Sequence, residues 1–261
     1  MRNIFIIGFI IAMMLLGCGP SQQEMAQSKI DRAKVYLQQG DTLNAIATLD
    51  SLKMFSEAPN EQQKGITLKK EIMTAQKNEL ETKLELVEAQ VVELEKNFVK
   101  EKGEFDRYVQ YVPKRQTVKR SWDRSFIQIY LDERGEIYMS SNYYGENWLN
   151  HTGLRVYDGD IQAKTEKIAL EDVNNHHSDF AEVKWEKVTY RQGKDNGVME
   201  FIAQNADRRL KAVFLGKRYY YIILEEYDKK AVKDALALSK AIKARKAIEN
   251  KMKAIEKNLS K

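Results

Sequence analysis

Cysteine is nearly absent: Cys18 is the one example in 261 residues. An intrachain disulfide framework and any Cys-rich zinc module are therefore excluded. Three histidines leave little room for imidazole chemistry. Three prolines and 13 glycines exclude collagen-like and Pro/Gly low-complexity chains. No charge sign dominates, with 43 Lys+Arg against 38 Asp+Glu. GxGxxG, Walker A, HExxH, GxSxG and EF-hand patterns are missing as well. What is present, 43% hydrophobic and 10% aromatic residues, suffices for one or two compact domains and excludes a wholly disordered chain.

Long apolar runs are also scarce. The longest, Ile4 to Leu16, follows the positive Arg2 and precedes Gly17-Cys18. That order is the order of a secretory signal, and the run is short of the roughly 20 residues a spanning helix needs. Leu15-Leu16-Gly17-Cys18 resembles the lipobox of bacterial lipoproteins, with Leu16 standing where a small residue is usual. The resemblance implies cleavage after residue 17, acylation of Cys18, and a membrane held by its lipid. Gly19, rather than aspartate, follows the cysteine, which favours the outer membrane where a cell has one. An ordinary signal peptide is the alternative. Removal of residues 1–17 leaves a net charge of +4 and no thiol beyond Cys18, so thiol catalysis is excluded.

An α+β chain is expected beyond a short tether at 18–23. Residues 24–60 read as a helical hairpin, with stripes Ile30, Ala33, Leu37 and Ala45, Ile46, Leu49, Leu52 around a Gly40-Asp41-Thr42 turn. Ala33, Tyr36, Gly40, Ala45, Leu49 and Leu52 resemble one tetratricopeptide repeat, which implies a packing unit and assigns no groove. Residues 61–105 read as one long helix, or two in series around Gly65. Leu80, Leu84, Val87, Val91, Leu94, Phe98 and Phe105 follow coiled-coil spacing, and Glu79–Glu104 carries a net −4.

The segment 106–227 differs, holding all three Trp and 12 of 13 Tyr. Short alternating runs between turn signals predict an antiparallel β domain of seven to nine strands, as a sandwich, curved sheet or partial barrel. Ile127, Ile129, Leu131 share one face; Leu210, Ala212, Phe214 another; Tyr219, Tyr221, Ile223 a third, with alternate residues of that run facing core and solvent. Residues 228–261 form a helix without Gly, Pro or aromatics and carry a net +7. Opposite charge beside two apolar seams favours antiparallel pairing of this helix with the heptad helix inside one chain, so a monomer is favoured over a coiled-coil oligomer.

Two local clusters invite a chemical reading. Tyr143, Tyr144, Asn147 and Trp148 mix rings and amides, as a sugar-binding loop does, or as core aromatics flanking a polar turn do. His176 and His177 are the metal candidates, with His151 as a third ligand; adjacent residues of a strand face opposite ways, so a polar connecting loop is the plainer reading. No catalytic residue and no cofactor is indicated. The basic tail lacks interleaved aromatics and export removes the usual partners, so nucleic acid is not expected. The sequence reads as a cell-envelope lipoprotein presenting a non-catalytic binding or scaffolding head to a protein or glycan partner. The alternative is a glycan- or peptidoglycan-acting enzyme.

Overall fold

The computed structural model describes residues 19–104, 106–116, 123–180 and 182–260. Cys18 lies outside them. The fold is α+β, with five α-helices and ten strands among the described residues, and divides into two units. One runs to Glu81 and takes in Met252 onward; the other is Thr82–Lys251.

In the first unit α1 (Gln22–Gln38) starts at a capping box: Ser21 Oγ accepts the Glu24 N–H, and Glu24 accepts the Ser21 N–H. The box satisfies donors that the first helical turn leaves orphaned. Gly40, at φ +77°, ends the helix in a conformation that costs glycine little. Asp41 then caps α2 (Thr42–Asp50) by accepting the Asn44 N–H at 3.0 Å. That bond lowers the Asp41 pKa below its usual value. Ala26, Ile30 and Ala33 of α1 pack with Ala45 and Leu49 of α2 and with Leu52.

Helix α3 (Pro59–Glu95) is continuous through Gly65. A Cβ at Gly65 would sit 2.1 Å from Leu52 Cδ1, so this glycine permits a close approach and marks no break. The helix expected to reach residue 105 ends ten residues earlier. Phe98, assigned to the heptad seam, opens strand β1 (Phe98–Glu101) and meets Tyr111 edge-on at 6.3 Å. Its four-residue step from Leu94 is compatible with a helix, but backbone pairing of Phe98–Glu101 with Gln110–Pro113 prevails. Phe105 lies outside the described residues. Upstream, Val91 is buried and Val87 and Leu94 pack on the same core, as the spacing requires.

The second unit contains two antiparallel sheets. The first has six strands in the order β1-β2-β3-β4-β8-β7, using β2 (Gln110–Pro113), β3 (Phe126–Asp132), β4 (Ile137–Gly145), β7 (Asn175–Phe180) and β8 (Val183–Tyr190). The second has the order β10-β9-β5-β6, using β5 (Gly153–Asp158), β6 (Ile161–Lys164), β9 (Lys211–Leu215) and β10 (Tyr219–Ile223). Neither closes into a barrel, and β4–β8 and β5–β9 are long-range pairs that a simple meander lacks. Helix α4 (Val198–Gln204), on which the sequence reading was silent, lies between β8 and β9. Helix α5 (Glu226–Leu259) buries Val232, Ala235, Leu238 and Ile242 in the core that both sheets share. The face Leu210, Ala212, Phe214 is fully buried as expected. The Tyr219–Ile223 run alternates as expected, with Ile222 packed on the core and Tyr220 against Tyr143 and Phe214. The inward face is Tyr220 and Ile222 rather than Tyr219, Tyr221 and Ile223: Tyr219 and Tyr221 are 73% and 65% exposed, and no residue of β10 is fully buried. No helix among the described residues is long and apolar enough to cross a membrane.

Candidate functional site

The first large sheet has two chemically different faces. Met139, Ser141 and Tyr143 of β4 lie on the inner face with Glu186, Val188 and Tyr190 of β8. Alternation places Tyr138, Lys187 and Tyr130 of β3 on the outer face.

Glu186, 1% exposed, sits where the chain leaves β4 and crosses to β5. Three successive amides converge on its carboxylate: Leu149 N–H at 2.6 Å, Asn150 N–H at 2.7 Å and His151 N–H at 2.9 Å. Asn150 is at φ +51°, a left-handed conformation that Asn tolerates and that helps turn consecutive N–H groups inward as an anion nest. His151 Nδ1 adds a fourth contact at 2.7 Å. Burial raises the Glu186 pKa, but His151 and these amides outweigh it, and the net value lies below the usual carboxylate range.

The chain of bonds continues. His151 Nε2 meets Ser141 Oγ at 2.9 Å, and Ser141 Oγ meets Tyr190 Oη at 3.0 Å. A carboxylate only accepts, so His151 Nδ1–H donates to Glu186, Ser141 donates to Nε2, and Tyr190 donates to Ser141. Burial pushes the Tyr190 phenol well above its ordinary range. Hydroxyl, imidazole and carboxylate thus stand in the order used by serine hydrolases. Here Ser141 and His151 are fully buried and every polar atom of the relay is occupied. As placed, the relay fastens the β4–β5 crossing to the sheet. The sequence reading missed it because its members are 10 and 35 residues apart and only strand register unites them.

The aromatic–amide cluster does not converge on one surface. Tyr143 points inward, 7% exposed, donates to the Asn147 carbonyl at 3.0 Å, and packs near Tyr220 and Phe214. Tyr144 meets Trp185 edge-on at 5.1 Å. Trp148 lies 5.2 Å from His177, with Lys184 Nζ over its ring at 5.4 Å. His176 and His177 take opposite faces of β7, opposite Lys187 and Glu186. Both ring nitrogens of His151 are engaged, which removes the third ligand named from the sequence. Among the described residues no group of three His, Cys, Asp or Glu could hold a metal ion.

A cleft of about 1000 Å³ lies elsewhere in the second unit. Tyr130 and Tyr138 stack at 4.7 Å and 7° in it. Arg191 lies 3.8 Å over Tyr138 and Lys187 lies 4.9 Å over Tyr130, extending the stack to a four-membered ladder. Arg134 lies 3.8 Å over Tyr108 and grips Asp132 Oδ2 through Nε at 2.9 Å and Nη2 at 2.6 Å. Asp195 and Glu200 complete one wall, and burial raises the Asp195 pKa. Rings and a carboxylate hold these cations in place. Tyr130 and Tyr138 are opposite each other across the turn Asp132–Gly135, so hairpin register was the signal that would have paired them.

No known protein family, curated protein or solved structure matches the chain.

Proposed function

We propose that this chain is a lipid-anchored protein of the bacterial cell envelope whose β unit is a non-catalytic binding or scaffolding module. Supporting the anchor are the signal-like run before Cys18 and the lipobox resemblance of Leu15-Leu16-Gly17-Cys18, with Gly19 favouring the outer membrane. Supporting a helical stalk are the opposite charges of α3 and α5, their apolar seams, and the 2.9 Å pair between Lys77 and Glu256, one from each helix. Antiparallel pairing within one chain is the reading these favour. The N-terminal helix pair, with its tetratricopeptide-like spacing, serves as a packing unit.

The observation that carries the binding role is the Tyr–Arg ladder in the open cleft, set against an acid–base relay that is sealed. Guanidinium edges and carboxylates in one cleft suit a polar ligand, an envelope glycan or peptide. A glycan-acting enzyme is the second reading, and Asp195 favours it: a carboxyl with a raised pKa, in a cleft, beside Glu200.

Membrane fractionation of the full chain, followed by calorimetry with digested peptidoglycan, tests both halves. Cys18→Ser is expected to leave the membrane fraction. Arg191→Ala with Tyr138→Ala is expected to stay there and to lose at least about tenfold in affinity, the effect of about 1.4 kcal/mol. A membrane-bound Cys18→Ser chain would refute the anchor, equal affinity would refute the cleft, and ligand turnover abolished by Asp195→Asn would favour the enzyme.

A further inference from the structure

Among the described residues strand β10 ends its sheet, with β9 on one side and no strand on the other. Leu224 N donates to Leu210 O at 2.9 Å, which sets the phase of the β9–β10 ladder. By alternation Tyr220 and Ile222 bond inward to β9, and the N–H and C=O groups of Tyr219, Tyr221 and Ile223 face outward. The run Tyr219-Tyr220-Tyr221-Ile222-Ile223 holds no charge, no proline and no glycine. Edge strands are ordinarily blunted by such residues or covered, and an open one is a template for another strand.

We propose that β10 is a dimerisation edge, pairing antiparallel with β10 of a second copy about a two-fold axis at Tyr221. The strand is complementary to itself in that register. Tyr219 falls opposite Ile223, Tyr220 opposite Ile222, and Tyr221 opposite its own copy. Aromatic and β-branched residues are favourable cross-strand partners. The register also matches outward backbone groups to outward backbone groups, because Tyr219, Tyr221 and Ile223 share one phase. The result is an eight-stranded sheet spanning two molecules, with an isologous interface that closes. One short strand buries less than a standard interface, so the dimer is concentration-dependent.

The full chain in detergent tests this by analytical ultracentrifugation and cross-linking. Wild type is expected to pass from monomer to dimer over roughly 1–100 µM, the range of small interfaces. Tyr221→Lys puts two like charges on the axis and should raise the dissociation constant at least about tenfold while leaving the fold intact, since the side chain is 65% exposed. Tyr221→Cys should form a disulfide-linked dimer on mild oxidation, because residues of a hydrogen-bonded pair have Cα atoms about 5.5 Å apart, within disulfide range. Val173→Cys, at 97% exposure, should not, with Cys18→Ser in both chains so that the native thiol takes no part. A monomer throughout, a dimer indifferent to Tyr221→Lys, equal cross-linking at residue 173, or open-ended polymers would each overturn the proposal.

Discussion

Glu186→Gln is expected to destabilise the β unit by about 3–5 kcal/mol, because at least two buried donors lose their carboxylate acceptor at about 1–3 kcal/mol each. The carboxylate takes four N–H donors, from Leu149, Asn150, His151 and the His151 ring. An amide supplies one acceptor oxygen and turns its NH2 toward the remaining donors, so buried groups are left unpaired. For a unit of this size the loss corresponds to roughly 6–20 °C in Tm. All three tryptophans fall within 106–227, so intrinsic fluorescence follows this unit's unfolding. The effect has a pH signature. The folded carboxylate titrates below its unfolded value, so its contribution is complete above the ordinary Glu range, near pH 4.3, and is lost as pH falls through the lower folded value. The gap between wild type and variant should therefore be constant near neutrality and narrow in acid. A loss below about 1 kcal/mol, ordinary for a surface substitution, would show that the nest carries little.

Gly216→Ala is expected to cost about 3 kcal/mol, the upper end for overpacking a filled site. Its Cβ would lie 2.2 Å from Leu149 O, 2.9 Å from Leu149 C and 3.0 Å from His151 N. All three are backbone atoms of the segment that Glu186 grips, so none can swing aside as a side-chain end would. Lys217 N–H also donates to Leu149 O at 2.9 Å, which holds the β9–β10 turn against the same segment. Gly159→Ala is the control. It has φ +58° and open space around it, so it should cost only about 1–2 kcal/mol of backbone strain. Because Gly216 and Glu186 constrain one segment, the double variant should lose less than the sum of the two. Denaturant titration of wild type and the four variants gives these differences. Equal losses for Gly216→Ala and Gly159→Ala would contradict the close approach.

Local pattern was legible where burial follows a period. Ala33, Ala45 and Leu49 in the helix pair, Val87 and Val91 in α3, and Ile127, Ile129 and Leu131 in β3 all take the faces their spacing gives. It misled where two periods overlap. Leu94 and Phe98 are four apart in a heptad, yet Phe98 begins a strand, because pairing with β2 is a long-range gain that local spacing does not report. At Tyr219–Ile223 alternation is present but in the opposite phase: Tyr220 and Ile222 turn to the core, and Tyr219, Tyr221 and Ile223 face outward. The site residues were the least legible. Glu186 looks like one carboxylate among 38 acidic residues, and only the β4–β8 register brings it beneath the Leu149–His151 amides. The aromatic loop was visible as composition, but Tyr143 turned inward once β4 acquired a covered face.

Whether Ser141, His151 and Glu186 are framework or reaction centre is decided by treating the native full chain with a serine-directed fluorophosphonate and mapping adducts by mass spectrometry. A sealed relay predicts no adduct at Ser141 in the folded protein. An adduct at Ser141 in the folded chain, lost in His151→Ala, would show an activated and accessible nucleophile and would contradict a non-catalytic role for the β unit.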